Sequence, residues 1–447
     1  QTLIYTDGEQ DAIGFVDIRD PRMPVADGIV ELGGEPTSVA VFGNSLALVG
    51  VNTSESLTNP SGNLTVVDIA TRTILAELDL GGQPDSVAIS PNRRYVAIAI
   101  ENERDEDIIV DGVEGGLPQL PAGYLAIVDI RGADPSRWRV RQADLTGLSS
   151  YAPEDPEPEF VDINRRNQAV VTMQENNHTA IVDLRTGQVI DDFDMGAVTL
   201  QGVDAVEDGV ISLTDTLTDV VREPDAVTWL PGDRPFRYRV ATAHEGDLVG
   251  GSRGFSIFEP DGTLVFDSGT SFEELAVRHG HYPEERSENK GSEPEAIHYA
   301  RFGSRDLLFV GSERGSFVAV YELIDGQPEF RQLLPAPLGP EGILAIPRRR
   351  LLIVSGEDDD PSFGVRSTMM IYSLGRRGSN YPQLVSEDLG GDSVPWSAMS
   401  GMVATGGDSE LLAVWDSFYS VSNIFTIDAS KTPAEVVSQT TITGCLL

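Results

Sequence analysis

Glu293-Pro294-Glu295-Ala296-Ile297 begins a phrase that ends, over Leu307 to Glu313, in an apolar run closed by a carboxylate. The same two-part phrase returns along the 447 residues. Pro-acid starts stand at Pro84-Asp85, Glu157-Pro158-Glu159, Glu223-Pro224-Asp225 and Pro340-Glu341, with weaker relatives at Glu35-Pro36-Thr37 and Pro395-Trp396. Each leads into a short apolar segment, a turn and a second apolar segment that ends at Asn52, Glu101, Glu175, Glu245, Glu313, Glu357 or Asp416.

These segments are rich in Val, Ile, Leu and aromatic residues and are bounded by Gly, Pro, Asn and Asp, which is the pattern of β-strands. Four strands to a unit, repeated at spacings of tens of residues, predict an all-β chain folded as a β-propeller of four-stranded blades. Prolines 36, 84, 158, 224, 294, 340 and 395 mark seven unit starts, and a three-strand piece over residues 3–32 precedes them. Eight blades fit this count best and seven are the alternative. An eight-bladed ring would draw its missing inner strand from the chain end, Gly444 to Leu447. All-β repeat folds exceed the usual domain length as single units, so one propeller domain over residues 1–447 is expected.

The formal net charge is −39, from 71 acidic and 32 basic residues, and the isoelectric point lies near 4.3. Nucleic acid and anionic membranes need a basic face, so this balance excludes them as partners. Lys290 and Lys431 are the only lysines. A carboxylate surface with so little lysine suits high salt, where screening shortens the repulsion, or an acidic secreted protein in general. The single cysteine, Cys445, leaves no internal disulfide and no cysteine zinc site. A chain beginning at Gln1 rather than Met is expected where a signal peptide has been removed, which places it outside the cell or in the periplasm. No apolar run approaches the ~18 residues of a membrane span.

In an antiparallel blade the start of the inner strand and the end of its neighbour share one edge. Asp85, Glu159, Asp225, Glu295 and Glu341 then meet Glu101, Glu175, Glu245, Glu313, Glu357 and Asp416 at one mouth of the channel. Long connections such as Asn102 to Gly123 and Thr270 to Glu293 open on the same side, as working faces do. Crowded carboxylates need protons, arginines or cations. An all-oxygen set suits Ca²⁺, with Glu159, Glu175, Asp225, Glu245, Glu295, Glu313, Glu341 and Glu357 as the expected ligands. The structural alternative is that these acids only cap turns and accept backbone N–H groups.

Gly250-Gly251-Ser252-Arg253-Gly254 matches the G-x-S-x-G pattern, but that motif needs a helix after its serine and a strand follows here. His279-Gly280-His281 reads as a polar-loop pair without a third histidine. Asn52, Asn63 and Asn177 open glycosylation sequons, which arise often by chance.

Several of these phrases resemble the secreted bacterial propellers called choice-of-anchor I proteins. The similarity rests on Pro158-Glu159-Phe160 with Val171-Thr172-Met173-Gln174-Glu175-Asn176-Asn177, on Ala241-Thr242-Ala243-His244-Glu245-Gly246-Asp247, and on Asn289-Lys290-Gly291-Ser292-Glu293-Pro294-Glu295-Ala296 with Phe309-Val310-Gly311-Ser312-Glu313-Arg314. Members of that family carry labels such as alkaline phosphatase-like or esterase-like phytase, and no agreed catalytic set comes with them. Two functions follow. The first is a secreted, Ca²⁺-binding surface module that presents its acidic channel mouth to an extracellular partner or a polysaccharide. The second is a Ca²⁺-dependent phosphoesterase acting on a phosphorylated small molecule, its metals held by the same carboxylates and its substrate steadied by Lys290 or Arg314.

Overall fold

The computed structural model describes residues 1–359, 362, 364–375, 382–386, 393–407 and 409–443. Gly444 to Leu447, where the closing strand is expected and Cys445 stands, lie outside the described residues. Among the described residues the chain is all-β apart from one α-helix and three short 3-10 turns. It divides into two compact units, one made of residues 1–196, 223–242 and 257–265, the other of 197–222, 243–256 and 266–447.

The first unit opens with a three-stranded antiparallel sheet over Thr2–Asp7, Ala12–Asp17 and Val25–Glu31. Three four-stranded sheets follow, spanning residues 35–79, 84–143 and 158–194, each with its strands in chain order. Their middle strands are buried on both faces, which is why Tyr95-Val96-Ala97-Ile98-Ala99-Ile100 reads as unbroken apolar sequence. The outer strand Thr73–Asp79 instead alternates and keeps one face in water. Leu48, Leu64, Val66, Val96, Ile98, Ile100, Ala126 and Val128 form one fully buried cluster between the sheets, each large side chain contributing about 1.5–3 kcal/mol.

The inner strands of this unit are pegged to one another by side chains. Thr37 Oγ1 donates to the Asp85 carbonyl at 3.0 Å, and Ser38 Oγ accepts from the Val87 N–H at 3.1 Å. Ser86 Oγ accepts from Val161 N–H at 3.3 Å, and Asp162 Oδ2 from Trp229 N–H at 2.8 Å.

The second unit contains a four-stranded sheet over residues 297–335, a three-stranded sheet over 340–373 and a five-stranded sheet at the C-terminal end. A further four-stranded sheet, residues 227–267, contributes residues to both units.

Two expectations need correction. Strand number is two, three, four or five rather than four in every sheet. The fifth strand of the last sheet, Leu384–Ser386, runs parallel to Ala434–Thr441. Strands Ala197–Val203 and Asp215–Val221 pair as a separate hairpin. The stretch from Thr270 to Glu293, expected as loop, holds the helix Ser271–His279, with Glu273 and Glu274 in its first turn, Arg278 and His279 in its last, and Gly280 closing it in the left-handed conformation.

Arg253 ties this helix to the second unit. Only 2% exposed, its guanidinium donates to the carbonyls of Asp204 at 2.7 Å, Ser287 at 2.7 Å and Asn289 at 3.1 Å, and lies 3.6 Å from Glu273 Oε1. Burial pushes the Glu273 carboxyl up from 4.5 to about 7 against the pull of Arg253. A carboxyl that holds its proton more tightly folded than unfolded stabilises below the unfolded value and loses that contribution as pH rises through the folded one. Between pH 4.5 and about 7 the parent should lose up to about 1.4 kcal/mol per pH unit through this group. Glu273→Gln should flatten that slope in thermal melts across the same window, whereas an unchanged slope would place the titration elsewhere.

Candidate metal centres at an acidic strand edge

The register sets the edge. Pro84 pairs with Ile100, Pro158 with Met173 and Pro340 with Gly356. In each inner strand the register then slips, between Pro84 and Val87, Pro158 and Val161, and Pro340 and Ile343. The slip is a β-bulge, which adds a residue and re-aims a side chain, and Asp85, Glu159 and Glu341 stand inside it. Proline is at home there because a strand start at a bulge needs no ladder N–H. Glu101, Glu313 and Glu357 follow the partner strands Tyr95–Ile100, Arg305–Ser312 and Leu351–Gly356 directly. The edge expected from the sequence is therefore present within each unit.

In the first unit, Glu101, Glu157 and Glu159 each bring a carboxylate oxygen within 4.8 Å of the others. Arg104, reaching in from the connection after Glu101, is 7% exposed. Its guanidinium ion-pairs with Glu175, lies 3.3 Å from Glu157 Oε2 and 3.4 Å from Asp155 Oδ2, and donates to the Asp155 carbonyl at 2.7 Å. Glu175, an expected cation ligand, is thus the partner of an internal arginine. Glu101 and Glu159 hold their protons well above the usual carboxylate range, first through burial and then through neighbours that are all acids, Asp85, Glu157 and Asp225 among them. Asp225 itself stands two residues before the strand Val227–Pro231, its carbonyl accepting from Thr172 Oγ1 at 2.5 Å.

In the second unit two carboxylate sets share Glu313. One is Glu245, Glu293 and Glu313, the other Glu295, Glu313 and Glu357, each with oxygens within 4.8 Å of one another. The first set is heavily compensated. Arg286 Nε lies 2.6 Å and Arg314 Nε 3.2 Å from the fully buried Glu293, Arg314 Nη2 lies 2.8 Å from Glu313 Oε1, and Lys290 Nζ lies 3.8 Å from Glu245. Glu293 also takes a left-handed backbone, φ 45°, a strain that surrounding bonds must hold.

The second set has Arg314 on Glu313 as its guanidinium contact. Glu313 is 5% exposed and its Oε2 makes no hydrogen bond. Burial pushes its carboxyl to about 8, with Arg314 opposing and Glu245, Glu293 and Glu357 reinforcing. Glu357 has an exposed surface; the protein on its other side and Asp358 shift its carboxyl upward, a push that water screens in part. Glu341 is pushed to about 7 by its surroundings and by Glu357 and Glu245; its own surface is open to water, which screens part of that push.

The family description of the choice-of-anchor I domain matches residues 1–250 and 248–326. The chain belongs to the choice-of-anchor I family. No curated protein matches this choice-of-anchor I chain. Among solved structures it is similar to hydrazine synthase of Kuenenia stuttgartiensis, with 13% identity over 84% of this chain and 93% of that one and a TM-score of 0.52. It is also similar to virginiamycin B lyase of Staphylococcus aureus, with 10% identity over 79% and 87% and a TM-score of 0.49. A third is the β-propeller domain of Myceliophteria thermophila Cps50 (Swd1), with 11% identity over 84% and 99% and a TM-score of 0.46. At these identities the likeness is one of fold alone.

Sequence reading missed four members of these clusters. Arg104 and Arg286 lie in polar connections with no periodic signal. Glu157 and Glu293 are the first acids of the two Glu-Pro-Glu triplets, whose doubled carboxylate was the available clue. Lys290 and Arg314, expected to steady an anionic substrate, instead contact carboxylates, Lys290 at Glu245 and Asp247 and Arg314 at Glu293 and Glu313.

The remaining motifs serve the fold. Ser252 is 3% exposed, its Oγ lies 2.7 Å from Nδ1 of the buried His244, and burial lowers that imidazole to about 3. His279 and His281 each hold a backbone carbonyl through Nδ1, those of Leu275 and Gly315, at 2.8 Å. Asn52, Asn63 and Asn177 use their amide groups on Ser54, Thr65, Gly196 and Glu223.

If Arg314 compensates Glu293 and Glu313, Arg314→Met should lower the melting temperature in EDTA. A cation entering the set should restore part of that loss, so the deficit in Ca²⁺ should be the smaller. An equal deficit in both buffers would mean that no cation reaches these carboxylates.

Proposed function

We propose that this protein is an extracellular surface module that binds a divalent cation, Ca²⁺ by its donor chemistry, at Glu295, Glu313 and Glu357, with Glu341 beside them. The observation that carries this reading is the uneven compensation around Glu313. Glu293 is clamped by two arginines, whereas the set on the other side leaves a buried Glu313 oxygen without a hydrogen bond. A buried carboxylate oxygen left without a hydrogen bond is costly even where the other oxygen meets an arginine, and an all-oxygen set is what a Ca²⁺ ion of six to eight ligands takes. The choice-of-anchor family suggests a secreted protein, and no helix among the described residues is long and apolar enough to cross a membrane. The sheets are then blades of one propeller, eight in number, whose acidic mouth and long connections face an extracellular protein or polysaccharide.

A second reading, a Ca²⁺-dependent phosphoesterase, draws on one feature. Two carboxylate sets that share Glu313 could be bridged by it across two cations, the arrangement of two-metal hydrolysis. Against it, Lys290 and Arg314 are already engaged by acids.

Thermal melts and phosphomonoester and phosphodiester turnover, each in Ca²⁺ and in EDTA, separate the two readings, with Glu295→Gln beside the parent. A module stiffened by calcium melts higher in Ca²⁺, loses part of that gain in the variant and turns over neither ester. Turnover abolished by EDTA and by the substitution would establish the phosphoesterase, and a melting temperature indifferent to Ca²⁺ would remove the cation from both.

A further inference from the structure

We propose that the first unit carries a divalent-cation site of its own, formed by Glu101, Glu157 and Glu159 with the side-chain oxygen of Gln83, and that its occupancy fastens the connection 102–123. The site is independent of the one around Glu313 and shares no residue with it.

The three carboxylates already converge, with one oxygen of each within 4.8 Å of the others. The observation that points to a ligand is Gln83. It is 5% exposed, its Nε2 donates to Glu103 Oε2 at 3.1 Å and reaches Glu101 Oε2 at 3.5 Å, and its Oε1 is buried without a hydrogen-bond partner. An orphaned buried acceptor costs about 1–3 kcal/mol. Turning the amide over would set the oxygen against Glu101 and Glu103, which relieves it only where one of those carboxyls carries a proton. A cation answers both needs at once, taking the amide oxygen and the carboxylates as hard-oxygen ligands.

Arg104 does not already do this work. Its guanidinium is directed to Asp155, Glu157 and Glu175, while the charges that bear on Glu159 are Glu101, Asp85, Glu157 and Asp225, all of one sign. The cluster therefore has a side served by Arg104 and a side that is not, and the Gln83 amide borders the second, its nitrogen reaching Glu101 Oε2 at 3.5 Å.

The connection 102–123 is tied to these residues at its first stem and to Asp155, Pro156 and Asn102 at its second. Asn102 Oδ1 accepts from the Gln83 N–H at 2.9 Å and its Nδ2 donates to the Pro121 carbonyl at 3.0 Å. Arg104 N–H donates to Glu157 Oε1 at 3.1 Å, Gln119 N–H to Asp155 Oδ2 at 2.8 Å, and Gly123 N–H to the Pro156 carbonyl at 2.9 Å. An ion that fixes Glu157 and Gln83 thus also fixes the first stem directly and the second through Asn102 and Pro121, in a connection whose far part exposes Ile109, Val113 and Leu120.

The test is backbone hydrogen exchange read by mass spectrometry, together with Ca²⁺ stoichiometry by calorimetry, on the full chain. The parent, Glu159→Gln, Gln83→Leu and Glu357→Gln are compared, each first shown to be folded by its melting profile. With Ca²⁺ at about ten times its Kd, opening of the connection 102–123 should slow roughly tenfold in the parent. Glu357→Gln should keep that protection, Glu159→Gln should lose it together with one bound ion, and Gln83→Leu should weaken binding by about tenfold. Exchange over 102–123 indifferent to Ca²⁺ in the parent overturns the proposal, as does an unchanged stoichiometry in Glu159→Gln; either result means that Glu101 and Glu159 are quieted by a shared proton. Loss of Ca²⁺ response confined to Glu357→Gln peptides bears on the site around Glu313 alone, so the two readings fail separately.

Discussion

Repulsion between carboxylates brought to a common strand edge is the constraint on which the rest of this structure depends. Antiparallel pairing places the acid after one strand beside the acid at the start of its neighbour, and the repeat does this again in several sheets. Such a row cannot stay fully ionised and close-packed in a low-dielectric setting. The chain answers with arginines that travel in from connections and with carboxyls that hold their protons above the ordinary range. Arg104, Arg286 and Arg314 belong to the first answer and Glu341 to the second.

The choice of arginine has a physical basis. A guanidinium carries five donors in a planar fork and can serve several carboxylates and carbonyls at once, which a lysine point charge does less well. Arg104 and Arg253 each reach several oxygens while nearly excluded from water. A chain so acidic therefore keeps its few internal cations where one group must satisfy many acceptors, and the near absence of lysine in the sequence is the outward sign of that economy.

Much of this was legible beforehand. Apolar runs such as Leu46 to Val51 and Tyr95 to Ile100 located the middle strands because strands buried on both faces are apolar throughout, and the Pro-acid pairs located the edge because proline marks an inner-strand start. What sequence could not disclose is long-range closure. Arg104 meets Glu175 across 71 positions, and nothing local to either residue announces the other. The helix Ser271–His279 was missed because its apolar residues, Phe272, Leu275, Ala276 and Val277, are few and sit among Gly, Ser and acids. Leu384–Ser386 was missed because a three-residue strand paired in parallel leaves neither alternation nor a hairpin turn to read.

The bulge after Pro84, Pro158 and Pro340 has a broader meaning. The second sheet carries the same slip, between Pro36 and Ser38, yet the residue within it is Thr37, which spends its hydroxyl on the Asp85 carbonyl instead of offering a carboxylate. The position is a socket that accepts either an acid or a peg while the ladder on both sides keeps its pairing. Chemistry at the edge can accordingly be rewritten one repeat at a time, and two related chains could share every strand and still differ in which of their edges carry charge.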